Sequence, residues 1–133
     1  MKKTMIECDG GTPCNNPRIG YGDGYGSYRI DKGKVVRVDF KKPMSVNEAE
    51  VSILICAIED AISRFGKNQS FEILSDSKII VNCVNFSHKK KKFSLGCSEG
   101  YKNGVSKLRE LLDFFQASAS WISRNHMVSI FGH

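Results

Sequence analysis

Three acidic residues carry the chemistry that this sequence could do: Asp9 in "TMIECDGG", Glu50 in "SVNEAEVSILICAI" and Asp76 in "SFEILSDSK". Each stands beside a hydrophobic run, where a buried element would meet solvent. Singly, each has an ordinary structural use. Asp9 before two glycines suits a turn. Glu50 near a helix start suits the helix dipole. Asp76 between two serines suits a helix cap. Together they suggest something else. Gathered carboxylates repel one another, and a divalent cation removes that cost. An all-oxygen donor set favours magnesium or manganese over zinc. Two such ions about 4 Å apart can support phosphodiester hydrolysis by activating water and stabilising the departing oxygen.

Three residues so far apart in the chain need a scaffold to meet. Residues 4–9 read as a strand ended by glycines. "GYGDGYGSYRI" reads as a second, glycine-rich strand packed closely by its neighbours. It is not a dinucleotide fingerprint, because its third glycine is out of register and more strand follows. "KVVRVDF" pairs with it as a hairpin across the turn "DKGK". Ser45 and Glu48 have capping-box spacing, which predicts a helix start. Leu54, Ile58, Ala61, Ile62 and Phe65 then form an apolar face at helical spacing, and Gly66 is a stop. Glu50 falls in or just beyond the first turn.

"SFEILSDSK" predicts a fourth strand ending at Asp76. "SKIIVNCVNF" reads as a short helix or turn-rich segment, "HKKKK" as a basic run and "FSLGCSEGYKNG" as a loop. "VSKLRELLDFFQ" predicts a helix and "ASASWIS" a fifth strand. "RNHMVSIFGH" shows little pattern. The order β-β-β-α-β-α-α-β suggests an α/β mixed sheet flanked by helices. If strands one and four are parallel central neighbours, Asp9 and Asp76 meet at one edge of the sheet.

Bulk properties narrow the class. The 133 residues fit one domain over 1–133, with 41% hydrophobic residues for a core. The longest apolar run, "VSILICAI", is too short for a bilayer, and an acidic residue interrupts the basic start, which argues against a signal peptide. The five cysteines are odd in number and form no CxxC pair, so a zinc site has little support. A reduced, cytoplasmic protein is expected. The net charge of +6 favours polyanionic partners, and no membrane association is expected from the short apolar runs. No obligatory protein partner is evident.

Three motifs in order resemble the type 1 ribonuclease H family. They are "DGGTPCNNP", with Asn16-Pro17 after the glycines; "SVNEAE", in which Asn47, Ala49 and Glu50 match while Ser45 stands for threonine; and "ILSDSKIIVNCVN". A last strand bearing tryptophan, "SASWIS", is also similar. The resemblance covers nearly the whole chain. It implies a five-stranded mixed sheet of the ribonuclease H-like type and cleavage of the RNA strand in an RNA–DNA hybrid. Asp9, Glu50 and Asp76 would hold Mg2+ or Mn2+, two ions in all. Gly10, Gly11, Asn16, Ser45 and Asn47 would contact substrate. The 2′-hydroxyl distinguishes the strands.

The family usually has a fourth acid near the start of a last helix. Here no acid follows Asp113, and the matching position falls near Phe131. His133 is the candidate replacement, through imidazole or a terminal carboxylate. His126 could assist at the substrate. Lys89, Lys90, Lys91 and Lys92 fall where some family members carry a basic protrusion, and would contact phosphates without sequence choice. The missing acid leaves a second reading, a weakly active or inactive hybrid-binding module on the same fold.

Overall fold

The computed structural model describes residues 1–13, 22–87, 93 and 97–132. Asn16, Lys89, Lys90, Lys91, Lys92 and His133 lie outside the described residues.

Five strands form one mixed sheet. β1 (Lys2–Gly11), β2 (Asp23–Ile30) and β3 (Val36–Pro43) form an antiparallel meander. β4 (Gln69–Ser75) and β5 (Ala117–Trp121) add in parallel, giving the order β3-β2-β1-β4-β5. β1 and β4 are therefore the parallel central pair. At the β2–β3 turn, Asp31 and Lys32 take φ of 51° and 57°, and Gly33 N–H donates to the Ile30 carbonyl at 2.9 Å. Two successive left-handed residues match the twist of a tight hairpin.

β1 is longer than the sequence predicts. Gly10 and Gly11 do not end it, because they pair with Gly26 and Tyr25 of β2. Asp9 thus lies within the strand and not in a turn.

The main helix, α1 (Val46–Phe65), begins at Ser45, whose hydroxyl accepts the Glu48 N–H at 3.1 Å. It ends at Gly66, with φ of 80° and its N–H donated to the Ile62 carbonyl. Ile53, Leu54 and Ile58 of α1 are fully buried, as are Ile6 and Cys8 of β1 and Ile73 of β4. Burying each large aliphatic side chain favours folding by about 1.5–3 kcal/mol. This layer fixes α1 over the central strands. Alternation along β1 turns Ile6, Cys8 and Gly10 toward α1. Glu7 and Asp9 take the opposite face.

The helices after β4 depart from the sequence reading in part. α2 (Lys78–Asn85) is a full helix capped by Ser77. α3 (Glu99–Leu112) starts six residues before the predicted "VSKL" and ends before Phe115. Glycines at 100 and 104 argue locally against a helix. Packing overrides this: a Cβ at Gly104 would lie 3.1 Å from Val51, so the glycines admit α1 at close range. α4 (Arg124–Phe131), unforeseen as an element, is capped by Ser123 and stopped by Gly132 at φ 78°. Only Met127 of this helix is buried, so it has no apolar stripe to read.

Candidate active site

Two strand ends and one helix start converge. The parallel pairing of β1 and β4 runs to Glu7 opposite Leu74, which leaves Asp9 and Asp76 just past the paired segment on adjacent strands. α1 approaches so closely that a Cβ on Gly10 would lie 2.7–2.8 Å from the backbone of Ala49 and Glu50. The missing side chain brings Glu50 to the strand, where its carboxylate accepts the Gly10 N–H at 3.1 Å. Asp9, Glu50 and Asp76 each present a ligand oxygen within 4.8 Å of one another.

The ordinary uses of these residues do not account for this. Ser77, not Asp76, caps α2 by accepting the Ile80 N–H. Glu50 is buried and its carboxylate turns to the Gly10 N–H of β1 rather than to the start of its own helix. Burial and the neighbouring Asp76 push Asp9 up to about 6. Burial, then Asp9 and Asp76, push Glu50 up to about 9. The cluster concentrates more negative charge than its hydrogen bonds compensate, and a hard divalent cation fits its all-oxygen donors. Beneath it, burial raises the Cys8 thiol, so Cys8 is an inert core residue.

The carboxylates open into a cavity of about 400 Å³. Gly10, Gly11 and Asn47 line it with them, as do Thr12, Tyr25, Val46, Ser77, Trp121 and Arg124. Trp121, half exposed at the end of β5, donates its indole N–H to the Asp76 carbonyl at 3.1 Å. It therefore fixes the turn that carries Asp76. Arg37 stacks on the Tyr25 ring at 4.7 Å.

Two predicted substrate residues sit elsewhere. The Ser45 hydroxyl is engaged as the α1 cap and does not line the cavity. The His126 imidazole faces the buried carboxylate of Glu7 at 3.9 Å, across the open face of the sheet. Glu7 is also held by Arg29, with contacts of 2.6 and 3.0 Å. Trp121 and Arg124 were not proposed as site residues from sequence. Their signal was present, since both lie close to the tryptophan motif, but only the docking of α4 brings Arg124 to the carboxylates.

No protein-family model and no curated protein matches the chain. Solved structures do. LC11 ribonuclease H1, isolated from compost by a metagenomic approach and seen in complex with an RNA/DNA hybrid, is 21% identical, with a TM-score of 0.69. The match covers 92% of this chain and 87% of that one. Ribonuclease H1 of Halobacterium salinarum is 20% identical over 93% and 88% of the two chains, with a TM-score of 0.69. The N-terminal ribonuclease H domain of a Mycobacterium tuberculosis protein is 21% identical over 93% and 89%, with a TM-score of 0.66. The chain has the ribonuclease H-like fold. Its described residues agree with the mixed five-stranded sheet expected from sequence.

Proposed function

We propose that this protein is a type 1 ribonuclease H, a single domain over 1–133 that hydrolyses the RNA strand of RNA–DNA hybrids with Mg2+ or Mn2+. The observation carrying this reading is the convergence of Asp9, Glu50 and Asp76 within 4.8 Å on the wall of a cavity on this fold. The likeness to a protein that binds an RNA/DNA hybrid supports the substrate class.

Asp9, Glu50 and Asp76 would hold the metal, two ions in the working complex. Bound there, divalent ions supply Lewis-acid polarisation of the phosphate and of the attacking water. The protein's own part is placement. Gly10 holds the Glu50 carboxylate through its backbone N–H. Trp121 restrains the turn at Asp76. Gly11 and Asn47, on the cavity wall, are suited to hydrogen-bond the sugar and phosphate of the bound strand. Asn16, Ser45, His126 and the four lysines remain proposed substrate contacts, and His133 a proposed fourth ligand. A cytoplasmic setting is proposed from the cysteines: Cys8, Cys56 and Cys83 form no disulfide. No helix among the described residues is long and apolar enough to cross a membrane.

Cleavage of labelled hybrid, duplex RNA and duplex DNA, with each metal in parallel, tests the proposal. Only the RNA of the hybrid should be cut, and Asp76→Asn should abolish cutting while the circular dichroism spectrum stays unchanged. Equal cutting of all three substrates defeats the substrate assignment. One observation favours the binding-module reading: among the described residues no fourth acid joins the cluster. Tight hybrid binding with no hydrolysis under either metal would establish it.

A further inference from the structure

Among the described residues, two aromatic side chains line the acidic cavity, Tyr25 and Trp121. They stand on β2 and β5, the strands just outside the central pair that leads to Asp9 and Asp76. Tyr25 pairs with Gly11 of β1, and Trp121 pairs with Ser75 of β4. Three inter-strand spacings separate β2 from β5, about 14 Å, and the carboxylates lie between. Alternation puts Tyr25 on the Gly11 face of the sheet and Trp121 on the Ser75 face, so the rings reach the cavity from opposite faces.

Both rings are set in place by their own neighbours. A Cβ at Gly11 would lie 3.0 Å from the Tyr25 hydroxyl, so the bare glycine lets the ring lie over β1. The Arg37 guanidinium stacks on that ring at 4.7 Å. Trp121 is tethered at its edge, where the indole N–H donates to the Asp76 carbonyl at 3.1 Å, and 54% of the residue stays exposed. A tethered but exposed indole presents apolar area in a fixed orientation.

We propose that Tyr25 and Trp121 are two walls that receive the sugars flanking the phosphate to be cut, one on each side of it. The inference rests on the ribonuclease reading for that phosphate. A phosphodiester carries a sugar on either side, and each sugar offers apolar C–H edges to a ring. The bases of a duplex are engaged in their own stack. Contact with sugars ignores base identity, because every nucleotide offers the same one. It also fixes the course of the strand from β2 to β5, and so the position of the phosphate over the carboxylates.

Trp121 is the single tryptophan of the chain, so its emission reports on one wall alone. With Ca2+ in place of Mn2+, saturating hybrid should lower the acrylamide quenching constant of the whole protein about two-fold, as a sugar covers the ring. Hybrid affinity, read by fluorescence anisotropy, should fall about five-fold in Trp121→Leu and in Tyr25→Leu. The loss should be the same on an oligo(rA)–oligo(dT) hybrid and on an oligo(rC)–oligo(dG) hybrid. Trp121→Phe and Tyr25→Phe should stay within about two-fold of the wild type, since a ring remains. Trp121→Phe should nonetheless bind Mn2+ about three-fold more weakly by calorimetry, because no indole N–H holds the turn at Asp76. A residue that merely supported β5 would lower both affinities together.

Trp121 emission equally open to acrylamide with and without hybrid overturns the wall at β5, and this reading needs no variant to fold. Tyr25→Leu with wild-type thermal stability and wild-type hybrid affinity overturns the wall at β2. Phe variants that fold yet lose as much hybrid affinity as the Leu variants overturn the ring contact. A loss confined to one of the two hybrids overturns the sugar contact in favour of base stacking. A wild type that binds no hybrid sinks the ribonuclease reading and the proposal with it, whereas one that binds hybrid with Trp121 unshielded sinks the proposal alone.

Discussion

Asp9 and Glu50 hold protons above the usual carboxylate range because burial opposes ionisation, as does the charge of Asp76 at Asp9 and the charges of Asp9 and Asp76 at Glu50. The consequence for stability has a definite sign. Both carboxyls bind protons more tightly in the folded protein than in the unfolded chain. Their stabilising contribution is complete below pH 4 and is lost as pH rises through about 6 for Asp9 and about 9 for Glu50. Without metal, the melting temperature should thus fall between pH 5 and pH 9. Saturating Mn2+ should flatten that fall, because the ion takes the place of the protons. Differential scanning fluorimetry in EDTA and in MnCl2 across this range measures both. A flat profile in EDTA would show that the carboxylates do not meet in solution. The same competition predicts proton release on Mn2+ binding near pH 7, detectable by calorimetry in buffers of different ionisation enthalpy.

Among the elements, the contact between β1 and α1 is the most demanding. Gly10→Ala would force a methyl group into the backbone of Ala49 and Glu50, where nothing flexible can yield. The helix must move away, and the Glu50 carboxylate with it. We expect a loss of about 1–3 kcal/mol in urea unfolding. Cleavage should drop by at least ten-fold at temperatures where the variant is still folded. α4 is a second element with leverage, since it carries Arg124 but buries only Met127. Its other tether is the Glu7 carboxylate, shared between Arg29 and His126. Glu7→Gln should lower stability by about 1–3 kcal/mol by leaving Arg29 without its ionic partner. It should also weaken hybrid binding more than Mn2+ binding, because the three metal-holding carboxylates do not depend on α4. Equal weakening of both would place Glu7 in the support of β1 alone.

For the whole molecule, the charge of +6 and the acidic cavity act at different ranges. The body draws a polyanion in, while the cluster admits the phosphate only once cations are present. Hybrid binding should accordingly weaken steeply with salt. Replacing Lys89, Lys90, Lys91 and Lys92 by alanine should reduce the slope of log K against log [KCl] by about 1–3, with little effect on the rate at saturating hybrid. An unchanged slope would remove these lysines from the interface.

The sequence by itself specified the strands, the start of α1 at Ser45 and the three acids, because these are written in local chemistry. Alternation, the spacing of apolar residues and a capping hydroxyl act over a few residues and can be read in a few residues. The β2–β3 hairpin and a β1–β4 neighbourhood followed from the same signals, while the seating of β2 beside β1 and of β5 beside β4 was decided by the assembled sheet. The length of α3 was not legible, since its two glycines are favourable only against α1. α4 was hidden because one buried methionine makes no periodic pattern. Only the tertiary structure decided that Gly10 is the gap through which Glu50 reaches the cluster. It also turned His126 toward Glu7 and set Arg124 on the wall of the acidic cavity. Those are consequences of distance between remote segments, and no stretch of chain encodes a distance to a partner it does not contain.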